Sequence, residues 1–340
     1  MHDSLYIWVT LLGRPAKKIS ELLINSYGSL ENAWAVNKKS DLTKEIEGIK
    51  EKTLKYYEMT QKSKVRITHI YKGDYPESLK RIYDPPFVIY YYGTLPCDSR
   101  PLLSVVGSRK CTAYGRKVTY DLSKEIAKTG IGIVSGLARG IDSRAHAGAL
   151  DAKGYTIAVL GGGPDNIYPP ENENGLILSE YLPGTMPLKH HFPARNRIIA
   201  GMSMGTLVCE AGIKSGAMIT VNFAINEGRD IFSVPGNIDS INSEGCNKLI
   251  KAGAYIVSDY TDVLEVLGFC EKKRIAGTPG WLNGLEREEA LVCESIFRGI
   301  NTPDEICKET SLECSKVIAT MTILEVKGII GRDKNGNSVV

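Results

Sequence analysis

Short apolar runs alternate with amphipathic stretches through the middle of the chain, and this pattern predicts a parallel β-sheet. The runs are rich in β-branched residues and lie at residues 87–92, 102–106, 131–134, 156–160, 176–178, 206–209, 230–234 and 255–257. Helical patterns separate most of them; Val118, Leu122 and Ile126, for example, share one helix face. Strands that are apolar along their whole length are buried on both sides, so helices are expected to cover both faces of the sheet. Ligands of such folds bind at the carboxyl ends of the strands, near the point where the strand order reverses.

The first 65 residues have a different pattern. Apolar positions recur there at three- and four-residue spacing, which predicts a small helical domain. Gly13, Gly28 and Gly48 lie where short helices would end. Because Gly48 is followed by a lysine-rich helical stretch, a helix-hairpin-helix that binds phosphates through backbone amides is one interpretation. An ordinary helical domain is the other.

The C-terminal pattern predicts three helices and a β-hairpin, the arrangement of a winged helix. The first helix is expected at residues 286–297, and the second begins with Thr302 as N-cap and Pro303 in its first turn. A third helix follows at 313–327, and two wing strands at 328–332 and 336–339. The predicted organisation is a helical domain (1–65), an α/β domain (66–270), a Lys-, Gly- and Pro-rich linker (271–284) and a winged helix (285–340).

The formal charge of +3 over 340 residues does not by itself indicate a nucleic-acid partner, but its distribution is uneven. Residues 285–340 hold seven Lys and Arg against ten Asp and Glu, a net charge of −3 that leaves +6 on residues 1–284. Proteins that bind duplex DNA do so through a face rich in Lys and Arg. The acidic C-terminal module is therefore expected to contact protein or to regulate access to the core.

Cellular context is indicated by several weaker features. No apolar run reaches the ~18–20 residues that span a bilayer, and the first residues lack the features of a secretory signal, so a soluble, cytoplasmic protein is expected. The eight cysteines form no C-x-x-C pair and no zinc-like cluster. They are expected to be small buried hydrophobic residues, and no metal or cofactor is predicted.

The loops after the predicted strands carry residues suited to anions. Gly107 and Ser108 are followed by Arg109, which can clamp a phosphate, while the next helix N-terminus would offer free amides to it. Three consecutive glycines, centred on Gly162, imply that some group approaches the backbone closely. Lys214 precedes Ser215 and Gly216 at a further helix start, and this adds charge and amides at the same edge of the sheet.

The most informative stretch runs from residue 181 to residue 209, which contains no Asp or Glu. Lys189 and the two arginines Arg195 and Arg197 supply charge for a phosphate backbone, and Phe192 supplies a face on which a base can stack. Lys189 and Phe192 are expected in a loop, where binding is the favoured role.

The two arginines of that stretch also fit a structural role. Glu180 and Glu210 flank the acid-free window, so Arg195 and Arg197 can instead hold these internal carboxylates. Asp142 and His146 are expected to cap or pack a helix rather than to act in catalysis. No catalytic set emerges, since the sequence has neither a G-x-S-x-G elbow nor a Walker A loop.

Taken in order, these motifs resemble the DprA/Smf family of DNA-processing proteins. The segments that carry the resemblance are residues 75–76 (Tyr-Pro), 84–86 (Asp-Pro-Pro), 107–109, 135–142, 161–163 with Tyr168-Pro169, 192–201, 215–216 with 219–220, and 234–236. It covers residues 66–260 and implies an extended Rossmann-like fold. It further implies a homodimer without enzymatic activity that binds and protects incoming single-stranded DNA, displaces single-strand-binding protein and helps load RecA in natural transformation.

The resemblance also implies roles for single residues. Arg109, Lys189 and Phe192 resemble the family's phosphate and base contacts, and Lys214 falls near another basic position. The N-terminal segment resembles a sterile-alpha-motif-like domain. The predicted nucleic-acid-binding residues are Gly107, Ser108, Arg109, Gly162, Lys189, Phe192, Arg195, Arg197, Lys214, Ser215 and Gly216.

The alternative is a nucleotide-binding or nucleotide-hydrolysing enzyme related to phosphoribohydrolases. Such enzymes carry a P-G-G-x-G-T loop followed by a glutamate. Here the apolar run at 206–209 leads into Glu210-Ala211-Gly212 without that loop, which counts against the alternative. Release of free base from a nucleotide would support it.

Overall fold

The protein is described by a computed structural model that covers residues 2–13, 15–36, 43–165, 175–269, 287–297, 300, 302–327, 329–332 and 338–339. The chain divides into two compact units, residues 1–270 and residues 271–340. The predicted linker, the Tyr168-Pro169 pair and Cys270 lie outside the described residues. The boundary between the helical and α/β domains at residue 65 falls inside the first unit and remains a prediction.

Nine strands form one sheet across the described part of the larger unit. They are β1 (Arg66–His69), β2 (Val88–Gly93), β3 (Leu102–Val106), β4 (Gly132–Ser135), β5 (Thr156–Val159), β6 (Gly175–Ser179), β7 (Gly205–Val208), β8 (Asp230–Ser233) and β9 (Tyr255–Ile256). Their order is β1-β2-β6-β5-β4-β3-β7-β8-β9. All eight predicted strands are present, and β1 is a ninth that the apolar pattern missed.

The order of the strands determines where a ligand site can form. Strands β3 to β9 pair in parallel, while β1 and β2 add an antiparallel edge. From the central strand β3 the chain winds outward through β4, β5 and β6 on one side, and through β7, β8 and β9 on the other. This is the doubly wound order of a Rossmann-like fold, as predicted, and it opens a crevice at the carboxyl ends of β3 and β7.

Helices cover both faces of this sheet. They are α5 (Glu77–Lys80), α6 (Ala113–Lys128), α7 (Ile141–Asp151), α8 (His191–Met202), α9 (Ala217–Asn226), α10 (Glu244–Lys251) and α11 (Tyr260–Leu267). Along β3, Leu102 and Val106 enter one hydrophobic cluster, while Leu103 and Val105 enter another. Because neighbouring side chains point to opposite faces, both faces of the strand are buried, as its unbroken apolar run predicts.

The N-terminal segment packs onto one face of the sheet. It forms α1 (His2–Leu12), α2 (Ala16–Tyr27), α3 (Leu30–Val36) and α4 (Thr43–Lys62). The buried side chains of Ile7 and Trp8 belong to the same cluster as Ile89 of β2. Tyr6 stacks on His69 of β1, with ring centroids 3.5 Å apart. These contacts explain why the helical segment and the sheet form one unit.

The glycines of this segment correct one prediction. Gly13 and Gly28 follow α1 and α2 with positive φ, and the Gly28 amide donates to the Ile24 carbonyl at 2.7 Å. Gly48, in contrast, lies inside the 20-residue helix α4. A helix-hairpin-helix with its turn at Gly48 is therefore wrong, since no hairpin interrupts the helix there.

Gly48 also provides a stability test. Nothing lies within 4 Å of the position that a Cβ would take at Gly48. Gly48→Ala is expected to raise the free energy of unfolding by about 0.5–1 kcal/mol, because alanine loses less backbone entropy in a helix interior. Gly28→Ala is the matched control and should destabilise, because φ is +79° there. Urea unfolding of both variants checks this, and a destabilised Gly48→Ala protein would contradict the uninterrupted helix.

The smaller unit has its own core. It contains α12 (Arg287–Phe297), α13 (Pro303–Thr310) and α14 (Cys314–Val326), followed by the antiparallel pair β10 (Gly331–Arg332) and β11 (Ser338–Val339). Val292, Ile306 and Leu324 are buried together. The element order is the one predicted for a winged helix. Thr302 occupies the N-cap position of α13, but its hydroxyl donates to the Glu305 carboxylate at 2.8 Å instead of accepting from the helix.

The cysteines only partly follow their prediction. Those that are buried, as expected, are Cys111, Cys209, Cys246 and Cys293. Cys97 and Cys314 are exposed and Cys307 is half-buried, so the expectation of burial was wrong for these three. Throughout the described ranges, no helix is long and apolar enough to cross a membrane.

Candidate nucleic-acid interface

A cavity of about 920 Å³ lies at the carboxyl ends of β3 and β7, where the strand order reverses. Its walls come from the loops that follow β3, β4, β7 and β8, and from the start of α8. We call it the strand-end cavity. The predicted residues that line it are Gly107, Ser108, Arg109, Lys189, Phe192, Arg195, Lys214, Ser215 and Gly216. Nine of the eleven predicted site residues, widely separated along the chain, are thus brought together.

The charge of the strand-end cavity is predominantly positive. Its lining includes Arg109, Lys110, Lys189, Arg195 and Lys214 among the cations, and Asp142 and Glu244 among the acids. Within the described residues, no carboxylate forms an ion pair with Arg109, Lys189 or Lys214. All three side chains belong to exposed residues. They therefore remain available to an external anion.

Arg109 and Phe192 form a pair across the cavity wall. The guanidinium carbon of Arg109 lies 5.0 Å from the centroid of the Phe192 ring. Attraction between a cation and the face of an aromatic ring holds the two side chains in register, although they come from the β3 loop and from α8. Phe192 was expected in a loop, but it is the second residue of α8. Lys189 lies just before that helix, as expected.

Arg195 lies beneath the cavity rather than in its opening. It is 4% exposed, and it donates to the carbonyls of Gly136, at 2.9 Å, and of Val159. A side chain at Gly136 would collide with the guanidinium, which explains the glycine at that position. Burial lowers the pKa of Arg195 to about 10, although the nearby carboxylate of Asp142 opposes the change. This arginine ties α8 to the ends of β4 and β5.

Arg197 is not brought to the strand-end cavity. Its Nη2 donates to Glu180 at 2.7 Å, and its Nε donates to Asp84 at 2.8 Å. The alternative that this arginine holds an internal carboxylate is confirmed for Glu180. The arrangement follows from the helix, because residues 195 and 197 are two positions apart and point in different directions.

Gly162 also lies outside the cavity lining. A Cβ on this residue would be 3.0 Å from the Thr185 carbonyl oxygen and 3.1 Å from the nitrogen of Pro187. The neighbouring Gly161 has the Phe192 ring 3.1 Å from its Cβ position. The group that approaches the three glycines is thus the chain's own segment leading to Lys189 and Phe192. The three glycines let this segment pack closely on the end of β5.

Glu210 changes the expectation for the first βα turn. Its carboxylate, buried at 3% exposure, accepts the Thr112 amide at 3.1 Å and the Thr112 hydroxyl at 2.8 Å. Thr112 is the N-cap of α6. An internal carboxylate therefore occupies the helix N-terminus that was expected to offer free amides to a phosphate, so that part of the prediction was wrong. The alternative that Glu210 is held by one of the two arginines is wrong, because its carboxylate binds the N-cap residue of α6 instead.

The cap at Thr112 can be tested directly. Glu210→Ala is expected to destabilise the protein by about 1.5–3 kcal/mol, because it removes the charge-assisted hydrogen bonds that this buried carboxylate accepts from the Thr112 amide and hydroxyl. Glu244→Ala, which removes a carboxylate at the cavity rim, is the matched control and should change stability by no more than about 0.5 kcal/mol. Chemical unfolding of both variants is the measurement. Equal stability of the two would contradict the capping role.

Asp142 and His146 lie in the core of α7, within the expected alternatives. The Asp142 carboxylate accepts the Gly136 amide at 3.2 Å, and burial raises its pKa to about 6. His146 Nδ1 lies 2.7 Å from the Thr156 hydroxyl, which itself donates to the Ile133 carbonyl. The imidazole nitrogen must therefore be the donor of that pair. Burial lowers the pKa of His146 to about 4, so the ring is neutral at physiological pH.

Several lining residues were missed by sequence reasoning. Lys110 follows Arg109 directly, and Ile213, Ile241 and Asn242 lie on the loops after β7 and β8. The Asn242 side chain donates to the Lys110 carbonyl at 3.4 Å, which joins two of these loops. The lysine was visible in sequence as a second cation in the same turn. No local signal identifies the isoleucines, because only the order of the strands brings their loops to the cavity.

Comparison with known proteins identifies relatives over the α/β region. Residues 66–268 match the family described as DNA recombination-mediator protein A. DNA processing protein DprA of Streptococcus pneumoniae (strain ATCC BAA-255 / R6) is 46% identical over 207 residues, which span 57% of this chain and 72% of that protein.

Two solved structures resemble the fold. The X-ray structure of DNA processing protein A from Streptococcus pneumoniae has a TM-score of 0.59 and 39% identity, over 72% of this chain and 92% of that chain. The structure of DNA processing protein A from Helicobacter pylori, described for its single-stranded DNA binding mode, has a TM-score of 0.53 and 31% identity. It covers 60% of this chain and 95% of its own.

Proposed function

The chain belongs to the DNA recombination-mediator protein A family, and from that premise we propose that it binds single-stranded DNA through the strand-end cavity. The observation that carries the proposal is the placement of Arg109, Lys189 and Lys214 around Phe192. Three cations on three different segments line one cavity, and no described carboxylate pairs with them. Phosphates of one strand would contact the cations, and an unpaired base would stack against the ring.

The aromatic ring favours single strands over duplex. Phe192 is half-buried at the start of α8, and the guanidinium carbon of Arg109 lies 5.0 Å from the centroid of its ring. A base in a duplex is stacked on its neighbours and does not reach such a recessed ring. An unpaired base can enter, and stacking on an aromatic side chain contributes about 1–3 kcal/mol per base.

Under this proposal, the predicted site residues divide into those that contact DNA and those that support the contacts. Arg109, Lys189, Phe192 and Lys214 contact DNA, with backbone groups from the turns at 107–108 and 215–216. Arg195 positions α8, while Arg197 and Gly162 hold the surrounding chain in place.

Family membership also supports a proposal about the cellular process in which the protein acts. We infer that the protein acts in the cytoplasm as a homodimer, protects single strands, displaces single-strand-binding protein and helps load RecA during recombination. The role of recombination mediator from which the family takes its name supports this proposal. Relatives named for DNA processing support the same direction.

A binding titration across a salt series tests the proposed function. The full chain is mixed with labelled oligonucleotides, single-stranded and duplex, of equal length. Tighter binding of the single strand is expected, with log K falling linearly against log salt by about 0.7 per phosphate contact. Equal affinity for both forms, or no dependence on salt, would contradict the proposal.

A nucleotide-processing enzyme is not favoured. In a dinucleotide-binding Rossmann fold, the phosphates lie at the N-terminus of the helix after the first strand. Here the Glu210 carboxylate occupies that helix end through Thr112. Incubation with nucleoside monophosphates, followed by chromatography, should yield no free base above the level of a buffer control.

A further inference from the structure

The smaller unit brings two cysteines together across a helix–helix turn. Cys307 belongs to α13, and Cys314 is the first residue of α14. Their sulfur atoms lie 2.7 Å apart. The two sulfur atoms of a disulfide are about 2.05 Å apart. The two thiols therefore need to move only slightly closer to form one.

Both sulfurs can be reached from solution. Cys314 is exposed and Cys307 is half-buried. In the part of the chain that the structure describes, the other exposed cysteine is Cys97, which belongs to the larger unit. The Cys314 thiol donates a long hydrogen bond to the Asp304 carboxylate at 3.9 Å, and the residue stays exposed. The three residues 311–313 between the helices form a short connection that keeps the two thiols near each other.

We propose that Cys307 and Cys314 form a reversible intramolecular disulfide, a redox modification site in the smaller unit. A small-molecule disulfide such as oxidised glutathione is the oxidant. The Cys314 thiolate attacks one of its sulfurs, giving a mixed disulfide at Cys314 and releasing one glutathione thiolate. Cys307 then passes its proton to the released glutathione thiolate and attacks the Cys314 sulfur, which releases the second glutathione as a thiolate that takes a proton from water. Two protein thiols are oxidised and one glutathione disulfide is reduced to two thiols.

The order of these steps follows from the surroundings of the two sulfurs. Cys314 is the more exposed residue, so an external disulfide reaches it first. The hydrogen bond to Cys314 raises the pKa of Cys307 to about 11, and this keeps Cys307 protonated until Cys314 has reacted. Once the mixed disulfide forms, Cys307 is already adjacent, and the second step is intramolecular.

The bond would change the stiffness of the unit rather than the candidate DNA site. It would join α13 to the first residue of α14 and close the loop between residues 307 and 314. A crosslink of this kind restricts the unfolded chain and stabilises the folded unit. The strand-end cavity is lined by residues of the other unit, so oxidation alters none of its lining side chains.

The experiment uses the full chain in glutathione buffers of increasing oxidised fraction. After acid quenching and alkylation, peptide mapping measures each cysteine. The expected result is a linked 307–314 peptide that appears at a lower oxidised fraction than the glutathione adduct on Cys97, because the second step needs no second molecule. Non-reducing gels should show no linked dimer from this pair.

Single-cysteine variants separate the proposal from general thiol reactivity. In Cys307→Ser, the glutathione adduct on Cys314 should persist, because the resolving thiol is missing. In Cys97→Ser, formation of the linked peptide should be unchanged. The proposal is overturned if wild-type protein retains glutathione on Cys314 without the link, if the link joins two chains, or if it forms only in urea. Thermal unfolding adds a second readout, since only oxidised protein with both cysteines should show a raised transition.

Discussion

Arg195→Met is expected to lower the free energy of unfolding by at least about 2 kcal/mol, because it leaves the buried Gly136 and Val159 carbonyls without a donor at about 1–3 kcal/mol each. Arg195 is 4% exposed, so both of these hydrogen bonds lie away from bulk solvent. Urea unfolding of the full chain is the measurement. Lys214→Met, which removes an exposed cation from the same cavity, should change stability by no more than about 0.5 kcal/mol.

The loss in Arg195→Met should also depend on pH. Asp142 has a pKa raised to about 6, mainly by burial, and the Arg195 charge opposes that rise. A folded-state pKa above the unfolded value of 3.8 means that the contribution of this carboxyl is present below pH 3.8 and is lost as the pH rises through about 6. Without Arg195 the pKa of Asp142 rises further. The variant therefore loses more stability from this carboxyl than the wild type does, and the loss extends to a higher pH.

His146 affects the stability difference between wild type and Arg195→Met in the same direction. Its pKa is lowered to about 4, mainly by burial and also by Arg195. The wild-type protein therefore loses stability as the pH falls from 6.5 towards 4, and the variant should lose less. The difference between wild type and Arg195→Met is thus expected to be larger at about pH 8 than at about pH 5. A difference that shrinks as the pH rises would contradict the electrostatic role of Arg195.

Arg109→Ala combined with Lys189→Ala is expected to weaken single-strand binding strongly, because it removes two of the three cations proposed to contact phosphates. Hydrogen bonds to charged groups contribute about 1.5–3 kcal/mol each, so each change should cost about tenfold in affinity or more. The salt dependence should fall by about 0.7 per lost phosphate contact, or about 1.4 for the pair. Fluorescence anisotropy across a salt series measures both quantities.

Two further variants make that result specific. Phe192→Ala should weaken binding with a smaller change of the salt slope, because it removes stacking and the support of Arg109 rather than a charge. Lys251→Ala, at the end of α10 and outside the cavity lining, removes an exposed cation from another surface. It should leave affinity nearly unchanged. If Lys251→Ala weakened binding as much as Lys189→Ala, the cavity would not be the binding site.

Local patterns predicted the elements well for a physical reason. A strand buried on both faces must be apolar throughout, so β3 and its neighbours were visible as runs of Val, Ile and Leu. Gly28 ends a helix through its own positive φ, which is also a local property. Gly48 shows the limit, because glycine marks a helix end only when its conformation is used, and a long helix tolerates one without a turn.

By itself, the sequence determined the doubly wound α/β class, the anion-suited residues at the strand ends and the family that these motifs resemble. Which side chains face the cavity depends on the folded chain. Arg195 and Arg197 are two residues apart in one helix, yet one supports the cavity floor and the other pairs with Glu180 and Asp84. The role of each arginine depends on the carbonyl or carboxylate groups that its guanidinium meets, and those partners are distant in sequence. Glu210 occupies a helix end that the local pattern leaves open, because β3 and β7 are adjacent only in the folded sheet.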